Sequence, residues 1–362
     1  MPRELIISGQ VIYGDDLQLR EGYVVVSGRT IKEIGFDRCD GDISGLVCPA
    51  FINAHSHVGD SLAKDLPYLP LADLVAPPDG LKHKILNAAS REEISYGISS
   101  TLDEMRRTGT CHFIDFRENG AAGASLLREL AGGKATVLGR PAPGDTIESV
   151  LSVSDGVGIS SCVDVPEDVL HAVVETAKKR RKIVGIHAGE LNRKDIKKAI
   201  DIMPDFLVHM TQAVAPDIRR AADEDIPIVV CPRSNAMTGV GLPPIKKMKE
   251  AGVLLALGTD NVMLNGPDML REMEWASKLF LHDDAYALKM ATLNAARIAR
   301  MDGNKGSILP GKDADLIVFD VNSDTFKCSQ NLLSTVVRRA RPDDMSYFIN
   351  EGNVWQNYLK RS

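Results

Sequence analysis

Apolar positions follow two different rhythms along this chain. Up to about residue 45 they come as short stretches, "ELIISGQVI", "GYVVVSG" and "TIKEIG", separated by glycine-containing turns, which predicts strands of a small sheet. From Leu46 onward, short apolar runs alternate with amphipathic helical stretches, the pattern of repeated βα units. Eight such runs occur: "LVCPAFIN", "CHFIDF", "ATVLG", "GVGIS", "KIVGIHAG", "DFLVHM", "IPIVVCP" and "VLLALGTD". The intervening helices carry start and stop signals. Ser90 opens "SREEISYGISSTLDEMRR" with Glu93 three residues on, a capping box, and Gly109 lies just past its end.

Eight strand-helix units predict an α/β fold, a (β/α)8 TIM barrel. After a helix over "DAYALKMATLNAARIARM" the chain returns to strand-like text, "ADLIVFDV" and "SYFINEGNVW". Both chain ends are therefore expected to build one small β-sandwich domain, from residues 1–48 and 304–362, beside a barrel over 49–303. No internal repeat or low-complexity segment interrupts this plan.

One interval is much longer than the others, between the first and second runs. The extra segment, Val58 to Ala89, contains "LADLVAPPDGLKHKIL", in which Pro-Pro-Asp-Gly signals a turn between two helical pieces. At a barrel mouth it is a candidate lid.

Composition narrows the function. Of 362 residues 44% are hydrophobic and 25% charged, with a net charge of -6 spread without a long like-charge block, which argues against nucleic-acid binding. No apolar run approaches the roughly 20 residues that span a bilayer, and the opening "MPRELIISGQ" is soon broken by charge, so no membrane association is expected. Six cysteines stand singly, without a C-x-x-C pair, which suits a reducing, cytoplasmic setting.

Within "PAFINAHSH", His55 and His57 are two residues apart and so project to one side of a strand. If that strand is the first of the barrel, the side is inward, at the carboxyl end where barrel enzymes keep their chemistry. His187 ends the fifth run, His209 the sixth and Asp260 the eighth. Five such groups at equivalent strand ends converge on one point and suit Zn2+ or a similar cation such as Fe2+. Taken singly, each has an ordinary alternative, a hydrogen-bonded core histidine or a helix-capping aspartate. His83, His112, His171 and His282 lack that placement and are read as structural.

On these motifs the chain resembles the amidohydrolase superfamily, in its mononuclear-metal branch of aromatic deaminases and chlorohydrolases. The segments carrying the likeness are "CPAFINAHSH", "HAGE", "CPRSN", "LGTDN" and "ATLNAARIARMDGNKGSILPGKDADLIVFD". The resemblance implies one divalent ion, zinc first and iron second, held by His55, His57, His187 and Asp260. It further implies Glu190 and His209 as the proton-handling pair. Two-metal members use a bridging carboxylated lysine, and no lysine ends the "GVGIS" run. Homo-oligomerisation is raised by the resemblance alone.

The implied reaction is hydrolytic deamination of an amino-substituted N-heterocycle, a purine, pyrimidine or pterin. Asp260 would accept a proton from the attacking water, His209 would hold the oxygen, and Glu190 would protonate the ring nitrogen. For Glu190 the plainer alternative is a carboxylate that orients His187.

Arg117, Arg140 and Arg233 stand at strand ends, suited either to an anionic substituent on the substrate or to pairing with neighbours such as Glu118. Ser234 and Asn235, with Arg233, are further substrate-binding candidates. Where deaminases of this branch often place a histidine, after the fourth strand, this chain has Ser160, Ser161 and Cys162. Cyclic-amide hydrolysis and loss of chloride or an alkylamine are alternatives on the same scaffold. A non-catalytic barrel is the alternative of another class.

Overall fold

The computed structural model describes residues 4–75 and 79–356. The strands, in chain order, begin with β1 (Leu5–Tyr13), β2 (Gln18–Ser27), β3 (Thr30–Gly35) and β4 (Ile43–Pro49). Next come β5 (Phe51–His57), β6 (Thr110–Arg117), β7 (Ala135–Gly139), β8 (Gly156–Ile159) and β9 (Ile183–Ala188). They are followed by β10 (Phe206–His209), β11 (Ile228–Val230), β12 (Leu255–Leu257) and β13 (Asp260–Asn261). The last three are β14 (Leu316–Phe319), β15 (Met345–Asn350) and β16 (Asn353–Gln356).

Two compact units result. One runs to Ile52, includes Met105–Cys111 and resumes from Asp268; the other comprises Asn53–Glu104 and His112–Pro267. In the first, strands from both chain ends form a single sheet, ordered β16-β15-β14-β4-β1-β2-β3. A bridge between Thr30 and Asp313 folds the β3 edge back onto the segment before β14. The chain ends thus share one continuous sheet, with its core around Ile7, Val24, Ile31, Val47, Leu316 and Ile349. Lys305, 4% exposed, ties the approach to β14 by ion pairs to Asp315 at 2.6 Å and Asp313 at 2.9 Å.

The second sheet runs β12-β11-β10-β9-β8-β7-β6-β5-β13. Pairs from β6 to β12, and the β13–β5 pair, are parallel. With helices between successive strands, this is the (β/α)8 barrel that the alternation predicts.

Three details differ from the sequence expectation. The first apolar run is two strands, because the chain changes sheets at Ala50: β4 pairs with β1 and β14, while β5 enters the barrel. A continuous apolar run has no period that reports such a break. The eighth run is split as well, β12 pairing with β11 and β13 with β5. The helix expected over "DAYALKMATLNAARIARM" is two, Asp284–Met290 and Leu293–Ile298. Thr292, between them, turns its hydroxyl back to the Leu288 carbonyl at 2.7 Å. The capping box is present: Ser90 N donates to Glu93 Oε2 at 2.8 Å and Glu93 N to Ser90 Oγ at 3.2 Å.

The segment after β5 forms a 3-10 turn, Val58–Ala63, and helices Leu71–Val75 and Leu81–Ala88. Pro77 and Pro78 of the expected turn lie outside the described residues. Ala63, Leu74 and Met263 give the segment its own small apolar cluster. Its firmest attachment is ionic. Lys82, 4% exposed, reaches Asp60 and Glu118, each at 2.9 Å. Arg140 shares Glu118 at 2.9 Å, and Asn261 donates to Asp60 at 2.6 Å. Residues from the insertion, the β6 and β7 ends and β13 thus meet in one buried polar network. Burial alone would raise the Glu118 carboxyl, but Lys82 and Arg140 bring it down to about 2.

The barrel's closure depends on the break in the eighth strand. Asn53 of β5 receives Thr259 N at 3.0 Å and donates to Thr259 Oγ1 at 2.7 Å. Beside it Gly258 leaves no room for a side chain: a Cβ there would stand 2.6 Å from His55 Cβ and 2.9 Å from His55 N.

Two outcomes follow. Gly258→Ala should lower stability by roughly 2 kcal/mol, the scale of an overpacked core site, read as a fall in thermal midpoint; an unchanged midpoint would show that β5 moves freely there. Glu118→Gln should destabilise at neutral pH by roughly 3 kcal/mol, leaving Lys82 and Arg140 short of a partner. Because Glu118 titrates lower in the folded state than in the unfolded one, its contribution is full above its unfolded value. It declines as pH falls toward about 2. Denaturant titrations of both proteins at several pH values should therefore converge in acid; a constant gap would refute this origin.

Candidate active site

Four strands deliver the five candidate chemical groups. His55 and His57 lie on β5, His187 on β9, His209 ends β10 and Asp260 opens β13. Asp260 Oδ1 is 3.2 Å from His55 Nε2 and 3.5 Å from His57 Nε2, and His187 Nε2 is 3.1 Å from His55 Nε2. Ligand atoms at about 2.0 Å from a tetrahedral zinc stand about 3.3 Å from one another. The donor atoms present therefore have the type and spacing of such a shell.

One atom each from His55, His187, His209 and Asp260 all lie within 4.8 Å of one another. His57 flanks this group, its ring stacked on His187 with centroids 5.4 Å apart. The structure thus gathers all five residues singled out in the sequence, and by distance alone it offers His209 as readily as His57. His209 and Asp260 have positive φ, 74° and 59°, a conformation uncommon outside glycine that turns each side chain inward from its strand end.

The electrostatics favour a cation. Burial and the neighbouring imidazoles, His55 first, push His187 and His57 well below the ordinary histidine range. They are neutral imidazoles, the form that ligates. Burial alone would raise the Asp260 carboxyl, but the hydrogen bond from His55 and the fields of His209, His55 and His57 hold it well below the usual carboxylate range. Its other oxygen accepts from Ser234 Oγ at 2.5 Å.

Glu190 lies just beyond β9, its side chain 24% exposed, with Oε2 3.6 Å from His209 Nε2. Burial first, and then the charge of Asp260, raise its carboxyl to about 8. The loop beneath it is pinned by Asp195, which accepts from Gly189 N at 2.9 Å and from Ser161 Oγ at 3.0 Å. Ser161, in the segment after the fourth barrel strand, thus helps to hold this loop.

The residues expected to grip substrate are placed differently from one another. Arg117, 3% exposed, points away from the imidazoles: its strand neighbour Phe116 is the ring packed on His55, at 4.6 Å. Its guanidinium lies against Gly59, where a Cβ would be 1.2 Å from Nη1. Arg140 is paired with Glu118, as the buttressing alternative anticipates, and is 28% exposed. Arg233, 8% exposed, donates to the Gly266 carbonyl at 3.3 Å. Ser234 and Asn235 touch Asp260 and His209, so they stand behind the cluster.

Of the histidines read as structural, His83 meets the Val75 carbonyl at 3.1 Å and His112 meets Thr136 Oγ1 at 2.9 Å. Sequence reasoning missed Asp60, Lys82 and Asp195. Lys82 alone left a trace, since it shares a helix face with buried Leu86, four residues on.

Comparison with known proteins agrees with this fold. Residues 46–354 match the profile of the Amidohydrolase family. An uncharacterised protein of Methanocaldococcus jannaschii is 34% identical, over 95% of this chain and 97% of its own length. A 5-methylthioadenosine/S-adenosylhomocysteine deaminase of Thermococcus sibiricus is 27% identical over 97% of this chain and 93% of its own. Among solved structures, an adenosine deaminase from Xanthomonas campestris with bound zinc superposes with a TM-score of 0.83. It has 21% identity and covers 98% of this chain and 93% of its own. With its barrel, its histidine and aspartate cluster and these likenesses, the chain belongs to the amidohydrolase family and is a hydrolytic enzyme.

Proposed function

We propose that this amidohydrolase removes the amino group of a nitrogen heterocycle by hydrolysis, in the cytoplasm, using one divalent ion held by His55, His57, His187 and Asp260. Zinc is the first choice and Fe2+ accepts the same donors. We take the barrel, residues 49–303, as the catalytic domain. The observation that carries the reading is the placement of the Glu190 carboxyl 3.6 Å from His209, beside a cluster of metal-type donors. When bound, such an ion lowers the pKa of a water it holds to about 7 and so supplies hydroxide near neutral pH.

The protein groups do the rest. Asp260, low in pKa, is a carboxylate able to take the proton of the attacking water. Glu190, whose carboxyl burial and the charge of Asp260 push up to about 8, is suited to deliver a proton to the ring nitrogen as charge develops there. Its carboxylate can then receive a proton and pass it to the departing ammonia. This need for ring protonation favours deamination over amide ring opening. The relative named as a 5-methylthioadenosine/S-adenosylhomocysteine deaminase puts aminopurine nucleosides first among substrates. For an anionic substituent, Arg140 is the best exposed of the three arginines considered.

Ammonia release by zinc- or iron-reconstituted protein should be measured over aminopurine nucleosides, aminopyrimidines and pterins, with and without carboxylate or phosphate groups. Release should vanish on chelation and in His187→Ala, which should also lose its metal. Glu190→Gln should retain metal while kcat falls on the order of 10²- to 10⁴-fold. Fully metallated protein silent across the panel would overturn deamination and leave ring opening or dechlorination.

A further inference from the structure

His187 and His209 have opposite partners behind them. His187 Nδ1 is 3.0 Å from the Ile159 carbonyl oxygen. A carbonyl only accepts, so Nδ1 carries the proton and Nε2 offers its lone pair to the site. His209 Nδ1 is 3.1 Å from the side-chain nitrogen of Asn235, whose Oδ1 in turn accepts from Thr211 Oγ1 at 3.1 Å. With its oxygen taken by the threonine, the asparagine presents an N–H, which only donates. Neutral His209 then holds its lone pair on Nδ1 and its proton on Nε2.

We propose that Asn235 is a positioning residue that fixes His209 in the Nε2–H tautomer, making it a hydrogen-bond donor to the reacting oxygen and barring it from ligating the metal. The inference deepens the deaminase reading and rests on that reading for its catalytic consequence. It resolves the ambiguity that distance leaves. His209 is among the four residues with donor atoms within 4.8 Å, but its lone pair faces Asn235 and a protonated Nε2 cannot coordinate. His57, with Nε2 3.5 Å from Asp260 Oδ1, is then the third imidazole ligand.

The arrangement is rigid. Asn235 is fully buried in the short helix Pro232–Met237, its backbone N bonded to the Cys231 carbonyl at 3.0 Å, and His209 is 1% exposed. A donor held in place before reaction needs no reorganisation as negative charge gathers on the oxygen.

The test reads the tautomer itself. In protein labelled with 15N-histidine, His209 is assigned among eight histidines by loss of its signals in His209→Gln. Metal-free wild type at neutral pH should show an unprotonated Nδ1 and a protonated Nε2 for His209, and the reverse for His187. Zinc should shift His55, His57 and His187 and leave the His209 Nε2 proton in place. Asn235→Asp, the same shape with an acceptor in place of the amide, should reverse the His209 pattern. In that variant kcat should fall about 100-fold with KM changed less than about threefold, as expected for an interaction made only in the transition state.

A wild-type His209 protonated on Nδ1, or one whose Nε2 loses its proton to zinc, overturns the proposal, and neither measurement depends on the Asn235 variant. An unreversed pattern in folded Asn235→Asp does so as well. The tautomer is read without substrate, so the outcomes separate. Silence in the ammonia panel with Nε2–H in place sinks deamination alone, and ammonia release with Nδ1–H sinks only the role of Asn235.

Discussion

The short pairing of β13 with β5 is the constraint on which the site depends. Two residues, Asp260 against Ser56 and Asn261 against His57, bring the end of the eighth barrel segment beside the two histidines of the first. Asn53 fastens this closure by bonding both the backbone and the hydroxyl of Thr259. Gly258 permits it, because His55 occupies the space that a Cβ would need. A straight eighth strand would keep pairing with β11 and carry the carboxylate elsewhere.

From that point the site is built by partners one layer back. Ser234 holds one oxygen of Asp260, leaving the other to His55 and His57. The Ile159 carbonyl sets His187, Asn235 sets His209, and Asp195 holds the loop of Glu190. The imidazoles are chemically identical. In the reading proposed above, the hydrogen-bonding character of what stands behind each, acceptor or donor, is what would distinguish a ligand from a proton donor. The same crowding separates the carboxylates: hydrogen bonds and imidazoles hold Asp260 low, while burial next to that charge pushes Glu190 up.

The insertion after β5 is held by a different means. Lys82 is buried between Asp60 and Glu118, with Arg140 and Asn261 completing the set. Such a network contributes little net energy over an apolar contact, yet costs several kcal/mol if one member is removed. Its effect is to permit one seating of the segment.

The sequence by itself determined a good deal. Alternating runs predicted the barrel, the strand-like chain ends predicted their shared sheet, and His55, His57, His187, His209 and Asp260 were legible because each stands at the end of an apolar run. Those features are local, set by side-chain period and position within one strand. The tertiary structure decided what depends on neighbours distant in sequence. It placed the switch of sheets at Ala50, split the eighth segment at Gly258, and directed Arg117 against Gly59. It also committed Arg140 to Glu118 and set Ser234 and Asn235 behind the cluster. Lys82 with Asp60 and Asn235 with His209 are pairs whose members read singly as an ordinary lysine, aspartate, asparagine and histidine. A hydrogen bond depends on the distance and direction between two groups, and for residues far apart along the chain only the folded backbone supplies them.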